Sequence, residues 1–173
     1  MSDDPRKPVV NIADVPLRDF GNGGAFAAKI GSFGRTIGLS GLGASVTVVE
    51  PGKRAYPFHV HHQTHEMFII LEGEGTYRFG GESYPIKAND VLAAPIGGPE
   101  FAHQIINTGT TTLRYLAISA NFVGGDVVEY PDSNKFSVSS RFNRETMTSA
   151  LRFVGRAETS LAYWDGEDIG EEQ

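Results

Sequence analysis

The sequence has no cysteine, which excludes disulfides and thiolate chemistry together. It also lacks a basic cluster. The nearest approach is the pair Lys53-Arg54, in a chain of net charge −6 with 21 acidic and 15 basic residues. A nucleic-acid partner therefore has no electrostatic support. No apolar run approaches the roughly 20 residues that a membrane helix needs. The opening MSDDPRKPVV lacks the apolar stretch of a signal peptide. A cytoplasmic protein with no membrane partner is expected. Tryptophan occurs once, as Trp164, and histidine five times.

What is present is turn-forming and β-branched. The 173 residues include 21 glycines and 9 prolines, enough to punctuate many short elements within one domain. Residues 1 to about 24 read as an extended arm, and 25–43 as glycine-rich with one or two edge strands. From Ala44 onward SVTVVE, EMFIILE, GTYRFGG, ESYPI, DVLAAP, AHQIIN and LRYLAIS are short, strand-like and bounded by turn formers. Gly80-Gly81 marks a hairpin. No segment between 44 and 120 supports a helix of ordinary length. An all-β antiparallel sandwich or barrel follows. In EMFIIL both alternating sets are apolar: Phe68 and Ile70 on one face, Met67, Ile69 and Leu71 on the other. A strand wetted on one face would alternate. Cover on both faces is expected, from the N-terminal strands or a second subunit, and a homodimer is the expectation.

After residue 120 the pattern loosens. A turn is expected at Pro131-Asp132-Ser133-Asn134, and SALRFVG reads as a strand or a short helix. The chain divides into an N-terminal arm with edge strands (1–43), a β-barrel (44–120) and a C-terminal extension packing on it (121–173). Tyr163-Trp164 in that extension reads as a hydrophobic clasp on the barrel or on a partner.

The histidines are crowded. Four of the five, His59, His61, His62 and His65, fall within PFHVHHQTHEMFII, and His103 stands alone downstream. In an extended stretch, residues two apart share a face, so His59 and His61 would point inward together. Glu66 shares a face with Phe68 and Ile70, so it points inward as well. Two imidazoles and a carboxylate in a dry interior are costly unless paired. A divalent cation is their natural partner. His103, again at the start of a strand, is the remaining histidine that could complete the set. By the same alternation His62 points away from His61 and His65 away from Glu66, to solvent or to another subunit. His65 would be the substitute ligand for Glu66.

The order of these residues resembles the cupin superfamily. The first cupin motif appears as Gly52, His59-Val60-His61, Glu66 and Gly73. The second appears as Asp90, Pro95, Gly97, His103 and Asn107. There are three departures. The spacer from Lys53 to Phe58 is one residue longer than usual, Asn89 stands where the second motif opens with glycine, and five residues separate Gly97 from His103. The resemblance implies a double-stranded β-helix, or jelly-roll cupin barrel, with a closed cavity. It implies one divalent transition metal (Zn, Mn, Fe, Ni, Co or Cu) on His59, His61, Glu66 and His103. A small-molecule ligand in the barrel is the expected partner. Two reaction classes fit such a site: dioxygenase-type oxidation of a chelating substrate, and Lewis-acid isomerisation or epimerisation of a sugar. A non-catalytic ligand-binding or sensor protein is the third reading. Candidates for a catalytic base are Glu100, Tyr77 and Tyr115, with Tyr84 behind them, and none is singled out by spacing. Arg78 would hold an acidic substrate if it faced inward. Tyr77 and Phe79 compete for that face, so an exposed Arg78 is expected.

Overall fold

A computed structural model describes residues 8–120, 124–140, 150–167 and 170. Its strands are β1 (Arg18–Gly23), β2 (Phe26–Ser32), β3 (Leu42–Val49), β4 (Val60–His61), β5 (Glu66–Glu72), β6 (Glu74–Phe79), β7 (Glu82–Lys87), β8 (Val91–Ala94), β9 (His103–Ile106), β10 (Leu113–Ala120), β11 (Gly125–Tyr130), β12 (Lys135–Ser140) and β13 (Leu151–Gly155). Among the described residues the only helical pieces are three-residue 3-10 turns, at Pro99–Phe101, Pro131–Ser133 and Ala157–Thr159. The expected all-β jelly roll is what forms.

The strands lie in three sheets, ordered β1-β2-β3-β10-β5-β8, β7-β6-β9 and β13-β12-β11-β4. The expectation of a closed cavity is corrected here: the sheets do not join into a ring, and the barrel is open. Pro85 shows why one edge stays free. It lies in β7, at the margin of its sheet, where a residue without an N–H leaves no ladder bond unmade. The hairpin between β6 and β7 turns on Gly80-Gly81, with Gly80 at φ 56°. The Pro131–Ser133 turn, closed by Asn134 at φ 46°, joins β11 to β12. Of SALRFVG, Leu151–Gly155 is a strand, β13; its first residue lies outside the described residues.

The two apolar faces of the central strands find different cover. Inward, Val49, Phe68, Ile70, Tyr77, Ile86, Leu92, Ile105, Leu113 and Tyr115 form the main core between the six- and three-stranded sheets. Outward, Val46 and Leu116 pack with Phe33 and with Val10, Ile12 and Val15 of the N-terminal segment. That segment supplies one of the expected covers. It stops short of the sheet margin, where Met67 is 39% and Val91 62% exposed.

Arg78 corrects its expectation in part. It is half-buried, forks onto both Asp132 oxygens at 2.8 and 3.0 Å, and lies 4.1 Å over the Phe58 ring. It ties β6 to the β11–β12 hairpin, and that hairpin carries part of the site described next.

Candidate metal centre

Four side chains from separate stretches of chain meet at one end of the open barrel. His59 and His103 form an antiparallel bridge, exchanging backbone bonds of 3.1 Å (His59 N–H to His103 O) and 2.8 Å (His103 N–H to His59 O). Opposed residues in such a pair put their side chains on one face. His61 ends β4, two residues from His59, and Glu66 opens β5. The long loop before His103 is taken up by the Pro99–Phe101 turn, so it does not disturb the bridge. Asn89 replaces the motif glycine at a φ of 76°. Asparagine is one of the few side chains that tolerates that region.

The imidazoles are aimed. His59 donates from Nδ1 to the Pro57 carbonyl at 2.8 Å, and His61 from Nδ1 to Asp126 Oδ2 at 2.6 Å. Both rings thereby turn Nε2 towards Glu66. Glu66 Oε2 lies 3.7 Å from His59 Nε2, 3.5 Å from His61 Nε2 and 3.1 Å from His103 Nε2. Two donors on a metal with bonds of about 2.1 Å stand about 3.0 Å apart at right angles and about 3.4 Å apart in a tetrahedron. The donor spacings fall in that range or slightly beyond it. The His59, His61 and Glu66 group could hold a metal ion, and its nitrogen and oxygen donors suit a divalent transition metal. Among the described residues His103 Nδ1 is buried without a hydrogen-bond partner.

The electrostatics agree with that geometry. Burial opposes ionisation of Glu66, but hydrogen bonds from His103 and His59 and the nearby imidazoles hold its carboxyl far below the usual range. Burial disfavours the charged form of His61 as well. The Asp126 bond and the charges of Glu66 and Asp126 outweigh it, and its pKa is raised. At His103 burial prevails and the pKa is lowered. The group thus combines an ionised carboxylate with His103 held towards its neutral form.

A pocket of about 680 Å³ opens on this cluster. Its floor is small: Gly43, Ser45, Ala117 and Ser119 on β3 and β10, beside Glu66 and Phe68 on β5. Its roof is the face of the β11–β13 sheet bearing Val128, Tyr130 and Val154.

The cupin domain model Cupin_2 matches residues 45–119. This is a cupin-superfamily protein. The cupin is 42% identical over 60 residues to an oxalate-binding protein of Thermotoga maritima, a stretch covering 35% of this chain and 47% of that one. It spans about half the length of the curated relatives it matches first. The structural likeness is broader. A crystal structure from Acidithiobacillus ferrooxidans, provisionally named a sugar phosphate isomerase, superposes with a TM-score of 0.77 at 27% identity, covering 92% of this cupin and 98% of that chain. A Silicibacter pomeroyi cupin named sugar phosphate isomerase shares the fold, with a TM-score of 0.74 at 19% identity over 91% and 98% of the two chains.

The remaining candidates of this cupin lie off the pocket. The Tyr77 hydroxyl donates to the Ala93 carbonyl at 2.8 Å. Tyr115 is buried in the core behind His59 and His103, beside a void of about 10 Å³. Glu100 turns back to accept from the Gly98 N–H at 3.3 Å, and Tyr84 is exposed on β7. None of the four is among the pocket's lining residues. His62 donates to Glu129 at 2.6 Å, and His65 is exposed, with its Nδ1 accepting from the Ile96 N–H at 3.4 Å. Neither joins the cluster.

Sequence reasoning missed Tyr56, Asp126 and Tyr130. Tyr130 lies nearly parallel to His59 with ring centres 6.2 Å apart, and Tyr56 stands 6.1 Å from it on another side. The signal was the alternation of Asp126, Val128 and Tyr130 along one strand face. Asp126→Asn keeps the shape but removes the charge that steadies the His61 tautomer. It is expected to weaken metal affinity about tenfold or more, measured by competition with a chelating dye, with the melting temperature little changed.

Proposed function

We propose that this cupin holds one divalent metal on His59, His61, Glu66 and His103. We propose further that it is an enzyme isomerising a small polyhydroxylated carbonyl compound in the adjoining pocket. The observation that carries the reading is the convergence of three imidazole Nε2 atoms on one Glu66 oxygen at the wall of a 680 Å³ pocket. The isomerase reading draws on the likeness to the Acidithiobacillus protein, which extends over 92% of this chain.

When bound, the metal supplies Lewis acidity to a carbonyl or hydroxyl oxygen of the ligand. The chain's own residues hold the metal site and orient the ligand. Pro57 and Asp126 fix the tautomers of His59 and His61. Glu66 contributes negative charge. Burial, with Glu66 nearby, pushes the Tyr56 phenol up to about 12, so at neutral pH it keeps its proton and donates to a ligand oxygen. The small residues of the floor leave room for the ligand itself.

The test loads the purified protein with Zn or Mn and assays a panel of aldoses and ketoses, free and phosphorylated, without oxygen. Interconversion that stops with a chelator is the expected result. Turnover only with Fe(II), with consumption of dioxygen, would replace isomerisation by oxygenation. A co-purifying ligand returned unchanged would make the protein a binding module. The proposed partners are a small molecule and a second copy of this chain. The second copy would cover the apolar sheet margin at Met67, Val91 and Ile96. Light scattering showing a monomer at working concentrations would remove it.

A further inference from the structure

The pocket has a second end. Its charged lining residues, apart from the two imidazoles, are Glu66 beside the metal cluster and three cations: Arg35, Lys135 and Arg152. That is a local reversal of sign in a chain of net charge −6. Strand register shows where the cations stand. On the roof, His61 pairs with Val128, Val128 with Ser137 and Ser137 with Val154, while Ser139 pairs with Arg152. Residues two apart on a strand share a face. Lys135, Ser137 and Ser139 on β12, with Arg152 and Val154 on β13, therefore face the same way as Asp126, Val128 and Tyr130. On the floor, Glu66 pairs with Ser119 and Ser119 with Gly43, and Arg35 follows β2 just beyond. On the roof Lys135, opposite Tyr130, is the cation nearer the metal cluster, and Arg152, opposite Ser139, stands one strand over and four residues further along, so the two flank the pocket. On the floor Arg35 lies about three strand spacings from Glu66.

We propose that this end of the pocket is an anion subsite, where Lys135 and Arg152, with Arg35 opposite, hold a phosphate or carboxylate of the substrate about 10–14 Å from the metal donors. The inference rests on the proposed metal-dependent reading for the other end of the substrate. The substrate is thus two-ended: oxygens that bind metal at one end, an anion at the other, and a chain of several carbons between. A two-carbon dianion such as oxalate could not span it. The cationic residues lie outside residues 45–119, the part matching the cupin domain. The anion end is therefore built from this chain's flanking strands. Lys135 forms the side of the subsite nearer the metal cluster, its Nζ lying 5.1 Å over the Tyr130 ring.

The test uses calorimetry on the metal-loaded protein with glucose 6-phosphate, glucuronate and free glucose as probes. The proposal expects an anionic probe to bind at least about tenfold more tightly than glucose. It expects Lys135→Met with Arg152→Met to remove that advantage while leaving metal content and glucose binding unchanged. Arg156→Met, at an exposed position outside the lining, should retain it. Preference for the phosphate or for the carboxylate identifies the anion, and either supports the subsite. Equal binding of all three probes, or an unaltered advantage in the double variant, overturns it. Inorganic phosphate titrated into the His59→Ala, His61→Ala protein separates the two proposals. Weak binding there that disappears when Lys135→Met and Arg152→Met are added upholds the subsite even if the metal reading fails. Absence of phosphate binding, together with equal binding of the three probes, removes the subsite and leaves the metal reading intact.

Discussion

Protein carrying His59→Ala and His61→Ala together is expected to purify with less than about a tenth of an equivalent of metal, against about one equivalent for the parent. The double change removes two of the three imidazoles around Glu66 and leaves His103 and a carboxylate. A pair of donors cannot compete with water and buffer for a transition metal as four can. The fold should persist. The backbone bridge between residues 59 and 103 needs no imidazole, and the side chains lost contact the Pro57 carbonyl, Asp126 and Glu66. Elemental analysis of untagged protein measures the loss, and the far-ultraviolet dichroism of the two proteins should overlay. His62→Ala with His65→Ala is the matched control, because neither residue belongs to the cluster, and it should keep full metal. Full metal in the first variant would place the ion elsewhere.

The second large effect is on stability. Asn107→Ala is expected to cost about 2–4 kcal/mol and to lower the melting temperature by roughly 5–15 °C. Asn107 is fully buried. Its amide donates to the Val49 and Thr111 carbonyls, each at 2.8 Å, and its oxygen accepts from the Gly109 N–H at 3.0 Å. Its backbone adds a bond from its N–H to the Lys53 carbonyl at 3.0 Å and accepts one from the Gly52 N–H at 2.9 Å. One side chain thus closes the turn after β9 onto the end of β3. Alanine would strand two carbonyls and an N–H in a buried site. Chemical denaturation measures the loss. The folded fraction should still bind metal, since Asn107 lies at the opposite end of β9 from His103. An unchanged midpoint would mean that these bonds form equally well in the unfolded chain.

These two residue sets also mark how far the sequence could be read. The cluster was legible because its members follow two local patterns, inward alternation at His59 and His61 and a glutamate opening the next strand. The core strands were legible for the same reason. β4 was not. Two residues, Val60 and His61, are too few to show a period, and their pairing partner β11 lies more than 60 residues away. Asp126, Tyr130, Lys135 and Arg152 were hidden because each is an ordinary residue type at an unremarked position. Only the register of β11, β12 and β13 brings them onto one face. The openness of the barrel was likewise invisible, since alternation gives the facing of side chains but not whether sheet edges meet.

The lone tryptophan has an experimental consequence. Trp164 is 67% exposed, with Tyr163 edge-on at 4.5 Å, and it does not line the pocket. Its fluorescence should have the red-shifted maximum of a hydrated indole and stay constant while metal is added. A blue shift on adding a ligand would therefore report not contact with that ligand but the tail coming to rest against protein, making the intrinsic emission a label-free gauge of C-terminal docking.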